Sequence, residues 1–306
     1  MLKGRILLTG GSGTMGRAII KKATEENWDC QIVIFSTDAM KHAKIKAQYP
    51  KVQSIIGDIR DFTTLSNAMV GSDYVLHLAA VKHIDFSEYN SIDTFEVNVT
   101  GSMNVCMAAM QLGIPHVIGI STDKAAHPAN CYGATKMLME KVMQEYSRLD
   151  IPTQYHLVRM GNVLESNGSV IEAWKRRIDA GLPIKITDPE MTRFWLNPNQ
   201  SVEYLLAALE LESGHIYIPK LPGLSIGKLA EYTVGNVEQE TIPVRPGEKK
   251  EETLLTFEEL DFVENMTGFY NLSPTTERRL MGEVIPYTSD EALQLTRDEL
   301  TELLNG

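Results

Sequence analysis

The chain of 306 residues carries a formal net charge of −11 and is 43% hydrophobic, long enough for one large core and a second, smaller one. The acidic balance weighs against nucleic acid and against an anionic membrane surface as partners, and leaves phosphates to be held by a few placed cations. No apolar run comes near about 18 residues, and the first residues lead straight into a strand, so neither a membrane span nor a signal peptide is expected.

The stretch RILLTGGSGTMGRAII (5–20) predicts an apolar strand, a glycine turn that includes Thr14 and Met15, and a helix that ends near Asn27. Gly10, Gly13 and Gly16 stand at GxxGxxG spacing, which lets backbone approach a pyrophosphate at a helix N-terminus, where free N–H groups and the helix dipole favour an anion. The strand QIVIF (31–35) follows. Dinucleotide enzymes that select NAD place an acidic residue at its end, on the ribose 2′-hydroxyl. Here the positions read Ser36, Thr37 and Asp38; Ser36 leaves room for a 2′-phosphate, with Lys41, His42 and Lys44 nearby, so NADP is the expected cofactor and NAD the alternative.

The apolar strands VQSII (52–56), YVLHLAA (74–80) and HVIGI (116–120) continue an alternation with helices that marks a doubly wound parallel sheet. Lys82 and His83 fall just past the fourth strand, at the C-terminal edge, where ligands bind in open α/β folds. A helix from about Asp93 to Leu112 is apolar around most of its surface (Phe95, Val97, Val99, Met103, Val105), and the helix after Tyr132 adds Met137, Leu138, Met139, Val142 and Met143. One sheet face cannot cover that much apolar surface, which predicts self-association, as a dimer or higher.

The stretch STDKAAHPANCYGATK (121–136) joins the strand HVIGI to that second helix. Tyr132 and Lys136 are four apart and share one helix face. A phenol with an ordinary pKa of about 10 is a poor base at neutral pH, and a lysine cation held beside it favours the phenolate. Tyr132 is then able to move a hydroxyl proton. Beyond Arg159 the even alternation weakens and marks a boundary. PNQSVEYLLAALELESG (198–214) predicts a helix capped by Asn197 or Asn199, and HIYIP (215–219) a strand returning to the main sheet. Cys30, Cys106 and Cys131 have neither metal-ligand nor disulfide spacing, so no metal is expected and a reducing, cytoplasmic compartment suits the chain.

Together with HLAAVKHI (77–84), NVTGSMNV (98–105), RMGNVLESNGSVI (159–171), TDPEMTRFW (187–195) and VRPGEKKEE (244–252), these motifs resemble the extended short-chain dehydrogenase/reductases that act on nucleotide sugars. They look most like the inverting UDP-N-acetylglucosamine 4,6-dehydratases, from the first strand to YTSDEALQL (287–295). The resemblance implies an α/β fold: a Rossmann-like doubly wound parallel sheet over 1–160, with a return at 194–218, and a smaller C-terminal α/β substrate domain from 161–193 and 219–306. It implies that Tyr132 takes a hydroxyl proton, Lys136 holds the phenolate and the nicotinamide ribose, Thr122 bonds the same oxygen, Asp123 is an acid and Lys124 a base. Asp58 and Ile59 are implied around the adenine, with Ala79, Ala80, Lys82 and Asn98 along the cofactor. A UDP-sugar would meet Lys82, His83, Asn162, Ser169, Val170, Arg193, Arg245 and Glu248.

One departure stands out: the family reads Ser-Arg-Asp where this chain has Thr37 in the arginine's place. Asp123 and Lys124 in mutual contact would each be pushed away from the pKa their roles demand, so they are expected to point to different parts of the sugar ring. A 4-epimerase, a dehydratase that stops at a 5,6-alkene, and a non-catalytic dinucleotide-sensing protein are the competing readings. The first needs no Asp123-Lys124 pair and the last no tyrosine pair.

Overall fold

The computed structural model describes residues 1–164, 166, 168–274 and 284–305. Its first half is built from the strands β1 (Gly4–Thr9), β2 (Cys30–Ser36), β3 (Gln53–Ile56), β4 (Tyr74–His77), β5 (His116–Thr122) and β6 (Gln154–Met160), apolar and mostly buried except for the exposed edge strand β3. They pair in parallel in the order β3-β2-β1-β4-β5-β6, as near-continuous runs such as Ile6, Leu7 and Leu8 require. Connecting them are α1 (Thr14–Glu25), α2 (Ala39–Gln48), α3 (Phe62–Met69), the short α4 (Ile84–Tyr89) and α5 (Ser91–Phe95), α6 (Gly101–Leu112) and α7 (Cys131–Ser147). The predicted helix from Asp93 to Leu112 is interrupted by a π turn over Glu96–Thr100.

The second half contributes β7 (Asn162–Val163), α8 (Val170–Asp179), β8 (Ile184–Ile186), β9 (Thr192–Leu196), α9 (Pro198–Ala207), β10 (Ile216–Pro219), β11 (Gly223–Ser225), α10 (Ile226–Val234), β12 (Gln239–Thr241), β13 (Thr253–Leu255), β14 (Val263–Asn265), β15 (Phe269–Leu272), β16 (Tyr287–Thr288) and α11 (Arg297–Asn305). Strand β10 returns to the main sheet parallel to β6. Strands β15 and β14 then extend that sheet antiparallel, around a turn at Gly268. Residues 263–272, which the sequence reading put with the substrate region, are thus part of the main sheet. The three small sheets β11-β9-β7, β12-β8 and β13-β16 lie outside it. Trp174, Ile184, Ile186, Trp195, Leu224, Leu229 and Leu300 form a second core, separate from the one under the main sheet. The fold is therefore Rossmann-like, with a mostly parallel central sheet and a smaller C-terminal α/β part.

Three boundaries differ from the sequence reading. Strand β4 stops at His77: the Leu78 N–H is shared between the Thr9 carbonyl and hydroxyl, each at 3.2 Å, and the Ala79 N–H turns to that hydroxyl at 3.3 Å. The His77 ring is wedged between Thr9 Oγ1 (2.8 Å) and Ser102 Oγ (2.9 Å), and burial, with Lys136 nearby, lowers its pKa to about 3. It is a neutral strut. Strand β5 runs on through Thr122, two residues past its apolar run. Helix α9, capped by Asn197 in a capping box with Gln200, ends at Ala207 and a 3₁₀ turn, short of Gly214.

Among the described residues no helix is long and apolar enough to cross a membrane, and no group of side chains could hold a metal ion.

Candidate active site

The site is assembled where β5 gives way to α7. Thr122 ends the strand, Asp123 and Lys124 sit on a 3₁₀ turn, and α7 starts at an Asn130 cap whose Oδ1 accepts from Gly133 N at 2.8 Å. Asn130 also donates to the Gly247 carbonyl at 3.0 Å, which ties the head of α7 to the loop before β13. Tyr132 lies in the first turn of α7 and Lys136 one turn on, buried at 4% exposure.

Asp123 is fully buried. Its Oδ1 accepts from Thr122 Oγ1 at 2.8 Å and from Lys124 Nζ at 3.1 Å, while Oδ2 is buried with no hydrogen-bond partner. Lys124 Nζ is also 3.1 Å from Glu252 Oε1 and 3.5 Å from Asn162 Oδ1. The expectation that Asp123 and Lys124 point apart is corrected: they touch. The strand does not continue through them, so their side chains do not alternate; the 3₁₀ turn brings neighbours together.

This contact decides the protonation states. Burial would lower the Lys124 pKa, but the carboxylates of Asp123 and Glu252 outweigh burial and hold the ammonium above its ordinary value. Burial raises Asp123, with Glu252 adding to it and Lys124 opposing. The acid is tuned in the direction its role requires, and the base is not. Burial also raises Tyr132, against which the Lys124 charge and a Thr122 hydrogen bond act. Lys136 is lowered by burial to about 8, and its ammonium rests 2.9 Å from Met139 Sδ. In this structure the cation acting on the phenol is Lys124, from the turn, rather than Lys136.

The glycine turn lies on the same sheet edge. Gly10 has φ +62, and a Cβ there would strike the Ala79 backbone at 2.7 Å. A Cβ on Gly16 would meet the Gly11 carbonyl oxygen at 2.0 Å, so only glycine lets α1 settle on the turn. Gly13 occupies the cap position of α1 without a side-chain bond, and Thr14 and Met15, half-buried, open the helix. At the end of β2, Ser36 Oγ is 2.8 Å from Ser12 Oγ and 2.6 Å from His42 Nε2, whose Nδ1 is 2.6 Å from Ser54 Oγ. Thr37 is exposed, and Lys41 pairs with Asp38 at 2.9 Å. Asp58 holds Arg60 at 2.6 Å, and Ile59 is buried against Gly101. Ala79 and Ala80 are half-buried. Asn98, on the π turn, accepts from Val81 N (2.8 Å) and donates to Val81 O (2.9 Å), fixing the loop that leads to Lys82.

The remaining residues named from sequence gather from several elements. Lys82 and His83 are exposed, His83 heads α4, and its Cε1 would lie 3.1 Å from a Cβ on Gly168. Ser169 caps α8 by accepting from Glu172 N at 3.3 Å, and Val170 is that helix's first residue. Arg193 is buried and donates to the carbonyls of Thr192 (2.7 Å), Lys249 (3.0 Å) and Lys250 (3.2 Å), so it buttresses the 245–252 loop. Arg245, about half exposed, pairs with Glu248 at 3.0 Å and Asp85 at 3.6 Å. Sequence reasoning passed over Glu252, although it closes the stretch VRPGEKKEE; two adjacent glutamates in a charged run read as a solvated face. His77 and Asn130 gave no signal, because their value lies in contacts made by distant backbone.

A glycine turn at the C-terminal end of β1 and a half-buried tyrosine held next to a cation are what dinucleotide-linked oxidation of a hydroxyl requires, and both stand on one sheet edge. That combination defines an NAD(P)-dependent enzyme of the short-chain dehydrogenase/reductase class, and the turn geometry at Gly10 and Gly16 fits the cofactor. A family model described as polysaccharide biosynthesis protein matches residues 6–274. The chain belongs to this family, and with it to the nucleotide-sugar-modifying enzymes of the extended class. It is 35% identical over 279 residues to a UDP-N-acetylglucosamine 4,6-dehydratase (inverting) of Campylobacter jejuni, covering 89% of this chain and 84% of the relative. It is 34% identical over 323 residues to a UDP-glucose 4-epimerase of Rickettsia bellii, covering 98% and 94%. Its structure resembles the X-ray structure of Pen from Bacillus thuringiensis, with a TM-score of 0.92, 29% identity, and 99% and 97% of the two chains covered.

Proposed function

We propose that the protein is a nucleotide-sugar 4,6-dehydratase, acting on UDP-N-acetylglucosamine with inversion at carbon 5. The observation that carries the reading is the buried Asp123-Lys124 pair, whose charge also reaches Tyr132. Removal of a hydroxyl proton at carbon 4 needs Tyr132 alone, and a 4-epimerase has no use for a second acid. Elimination of water across carbons 5 and 6 needs one group to protonate the departing 6-hydroxyl and another to take the carbon 5 proton. Asp123 supplies the first and Lys124, in its neutral form, the second. Inversion rests on the likeness to the inverting relatives.

The cofactor, when bound, supplies a nicotinamide that takes a hydride from carbon 4 and returns it to carbon 6. Residues 1–160, with the return at 194–218, hold it, through Gly10, Gly13 and Gly16 at the pyrophosphate and Lys136 at the nicotinamide ribose. The described residues of 161–193 and 219–305, apart from β14 and β15 in the main sheet, hold the UDP-sugar. We assign the cofactor as NADP, because β2 ends in a hydroxyl–imidazole chain with no carboxylate at Ser36. Fluorescence titration should give tighter binding of NADPH than of NADH, by about tenfold or 1.4 kcal/mol. Ser36→Asp should reverse that order, since a carboxylate repels a 2′-phosphate and accepts from a 2′-hydroxyl. Equal affinities in the unaltered chain would remove the assignment. Phe86, Tyr89, Ile92, Phe95, Met103 and Leu138, exposed on α4 to α7, support self-association, and a cytoplasmic location is in keeping with the substrate.

Proton NMR of UDP-N-acetylglucosamine with the protein in deuterated water tests the reaction. The expected result is a 6-deoxy methyl signal with deuterium at carbon 5, and ring couplings of the inverted sugar. Alkene protons would place the end point at the 5,6-alkene. A sugar inverted at carbon 4 with its 6-hydroxyl intact would replace this reading by epimerisation.

A further inference from the structure

Glu252 has no part in the chemistry above, yet it completes the buried cluster. Its Oε1 is 3.1 Å from Lys124 Nζ, its Oε2 is 3.3 Å from Lys249 Nζ, and Arg193 Nε is 3.9 Å away. Its backbone N–H donates to Ser289 Oγ at 3.0 Å, and Ser289 in turn meets Thr192 Oγ1 at 2.7 Å. The carboxylate is therefore delivered into the site by a braced segment, at 4% side-chain exposure.

Asp123 takes both of its hydrogen bonds on Oδ1 and none on the buried Oδ2. An ionised carboxylate so placed leaves half its charge without a donor, which a buried anion tolerates poorly. A neutral acid keeps Oδ1 as its carbonyl acceptor and places its proton on Oδ2, where a substrate hydroxyl would supply the acceptor that the protein does not. One ammonium between two buried carboxylates neutralises only one of them. Glu252 Oε2 is likewise buried without a hydrogen bond, but Lys249 Nζ stands 3.3 Å from it, and with Lys124 and Arg193 three cations surround this carboxylate, whereas Asp123 meets Lys124 alone; Glu252 is the better anion.

We propose, resting on the dehydratase reading, that Glu252 is a positioning residue of the acid–base step: it is the counter-ion and proton partner of Lys124, and so leaves Asp123 protonated on Oδ2. In the elimination, the Lys124 ammonium passes a proton across 3.1 Å to Glu252 Oε1 and becomes an amine. That amine takes the carbon 5 proton, and the electrons of the C5–H bond form the carbon 5–carbon 6 double bond. The carbon 6–oxygen bond breaks with its pair on oxygen, which receives the Asp123 Oδ2 proton and leaves as water. Asp123 ends as a carboxylate beside a re-formed Lys124 ammonium, and Glu252 as an acid. The net charge of the three is unchanged.

The groups facing Asp123 are Lys124 on its own turn, Tyr132 from α7 and Glu252 from the segment before β13, with Arg193 from β9 and Lys249 acting through Glu252. Replacing Glu252 by glutamine removes an anion that raises the Asp123 pKa and gives Lys124 wholly to Asp123. Both changes lower that pKa, so the alkaline limb of the pH–kcat profile moves down. Infrared difference spectra of the full chain against Asp123→Asn, at neutral pH and without substrate, read the proton directly. The unaltered chain and Glu252→Asp should show the carbonyl stretch of a protonated carboxylic acid, and Glu252→Gln should lose it. In turnover Glu252→Gln should shift the alkaline limb down by about one unit and lower kcat above it by about 10²-fold, with cofactor affinity unchanged. A band retained in Glu252→Gln, or an unmoved limb, overturns the role of Glu252. Absence of the band from the unaltered chain overturns it whatever the variants do. A chain that shows the band but dehydrates no nucleotide sugar keeps the protonation of Asp123 and sinks the dehydratase reading instead.

Discussion

Tyr132→Phe should lower turnover of the nucleotide sugar by about 10²- to 10⁴-fold and leave cofactor affinity unchanged. The substitution removes one oxygen and keeps the ring, so the first turn of α7 and its Asn130 cap have no reason to move. What is lost is the group that, in the proposed mechanism, takes the 4-hydroxyl proton while hydride leaves the same carbon. Because every later step needs the 4-ketone to acidify the carbon 5 proton, blocking the first step blocks all of them. No reduced nicotinamide should therefore accumulate at 340 nm on adding substrate, in contrast to variants of Asp123, which stall after oxidation. Rapid-mixing absorbance with each variant separates the two cases. A Tyr132→Phe enzyme with most of its activity would remove the tyrosine from the mechanism.

The sheet was legible because its strands are continuous apolar runs separated by helical spacing, a pattern that both faces of a buried parallel sheet impose. The glycine turn was legible for a similar reason: Gly10 and Gly16 are required by backbone contacts that lie close in sequence, or that the motif always brings with it. Strands β14 and β15 were not, since a short antiparallel pair added at a sheet edge looks like any other polar-flanked run. Within the site, the identity of Asp123, Lys124 and Tyr132 was readable, but their geometry was not. Whether Lys124 points away from Asp123 depends on a turn of three residues, and its charge on a glutamate 128 positions away in the chain. Charges of that kind act through space, and nothing local in STDK announces Glu252.

The second large effect concerns stability. Arg159, on β6 and 2% exposed, is expected to cost about 3–5 kcal/mol when replaced by methionine, from the general behaviour of buried pairs broken on one side. Its guanidinium has every N–H engaged: Nε and Nη2 donate to Glu140 at 3.0 and 2.8 Å, Nη1 and Nη2 to Glu259 at 2.9 and 2.8 Å, and Nη1 to the Leu254 carbonyl at 2.9 Å. Burial opposes its charge, and the two carboxylates more than restore it, holding its pKa above the ordinary value. Methionine fills much of the volume but leaves Glu140, itself 1% exposed, as a buried charge without its ion-pair partner. Urea denaturation should therefore show a lower midpoint for Arg159→Met, while Arg159→Met combined with Glu140→Gln and Glu259→Gln should regain part of the loss. A single variant as stable as the unaltered chain would mean that the cluster holds nothing together. The pH dependence has a definite sign. Burial raises the Glu259 pKa, but Arg159 outweighs it and holds that carboxyl below its ordinary value. Its contribution is complete above the unfolded value of about 4.3 and is lost as pH falls through the folded one. The cluster matters for function because Glu140 belongs to the helix that carries Tyr132 and Lys136, and Glu259 to the turn that follows β13, just beyond Glu252. Arg159 thus locks the tyrosine's helix to the segment that brings the glutamate, and its loss should lower kcat even at temperatures where the variant remains folded.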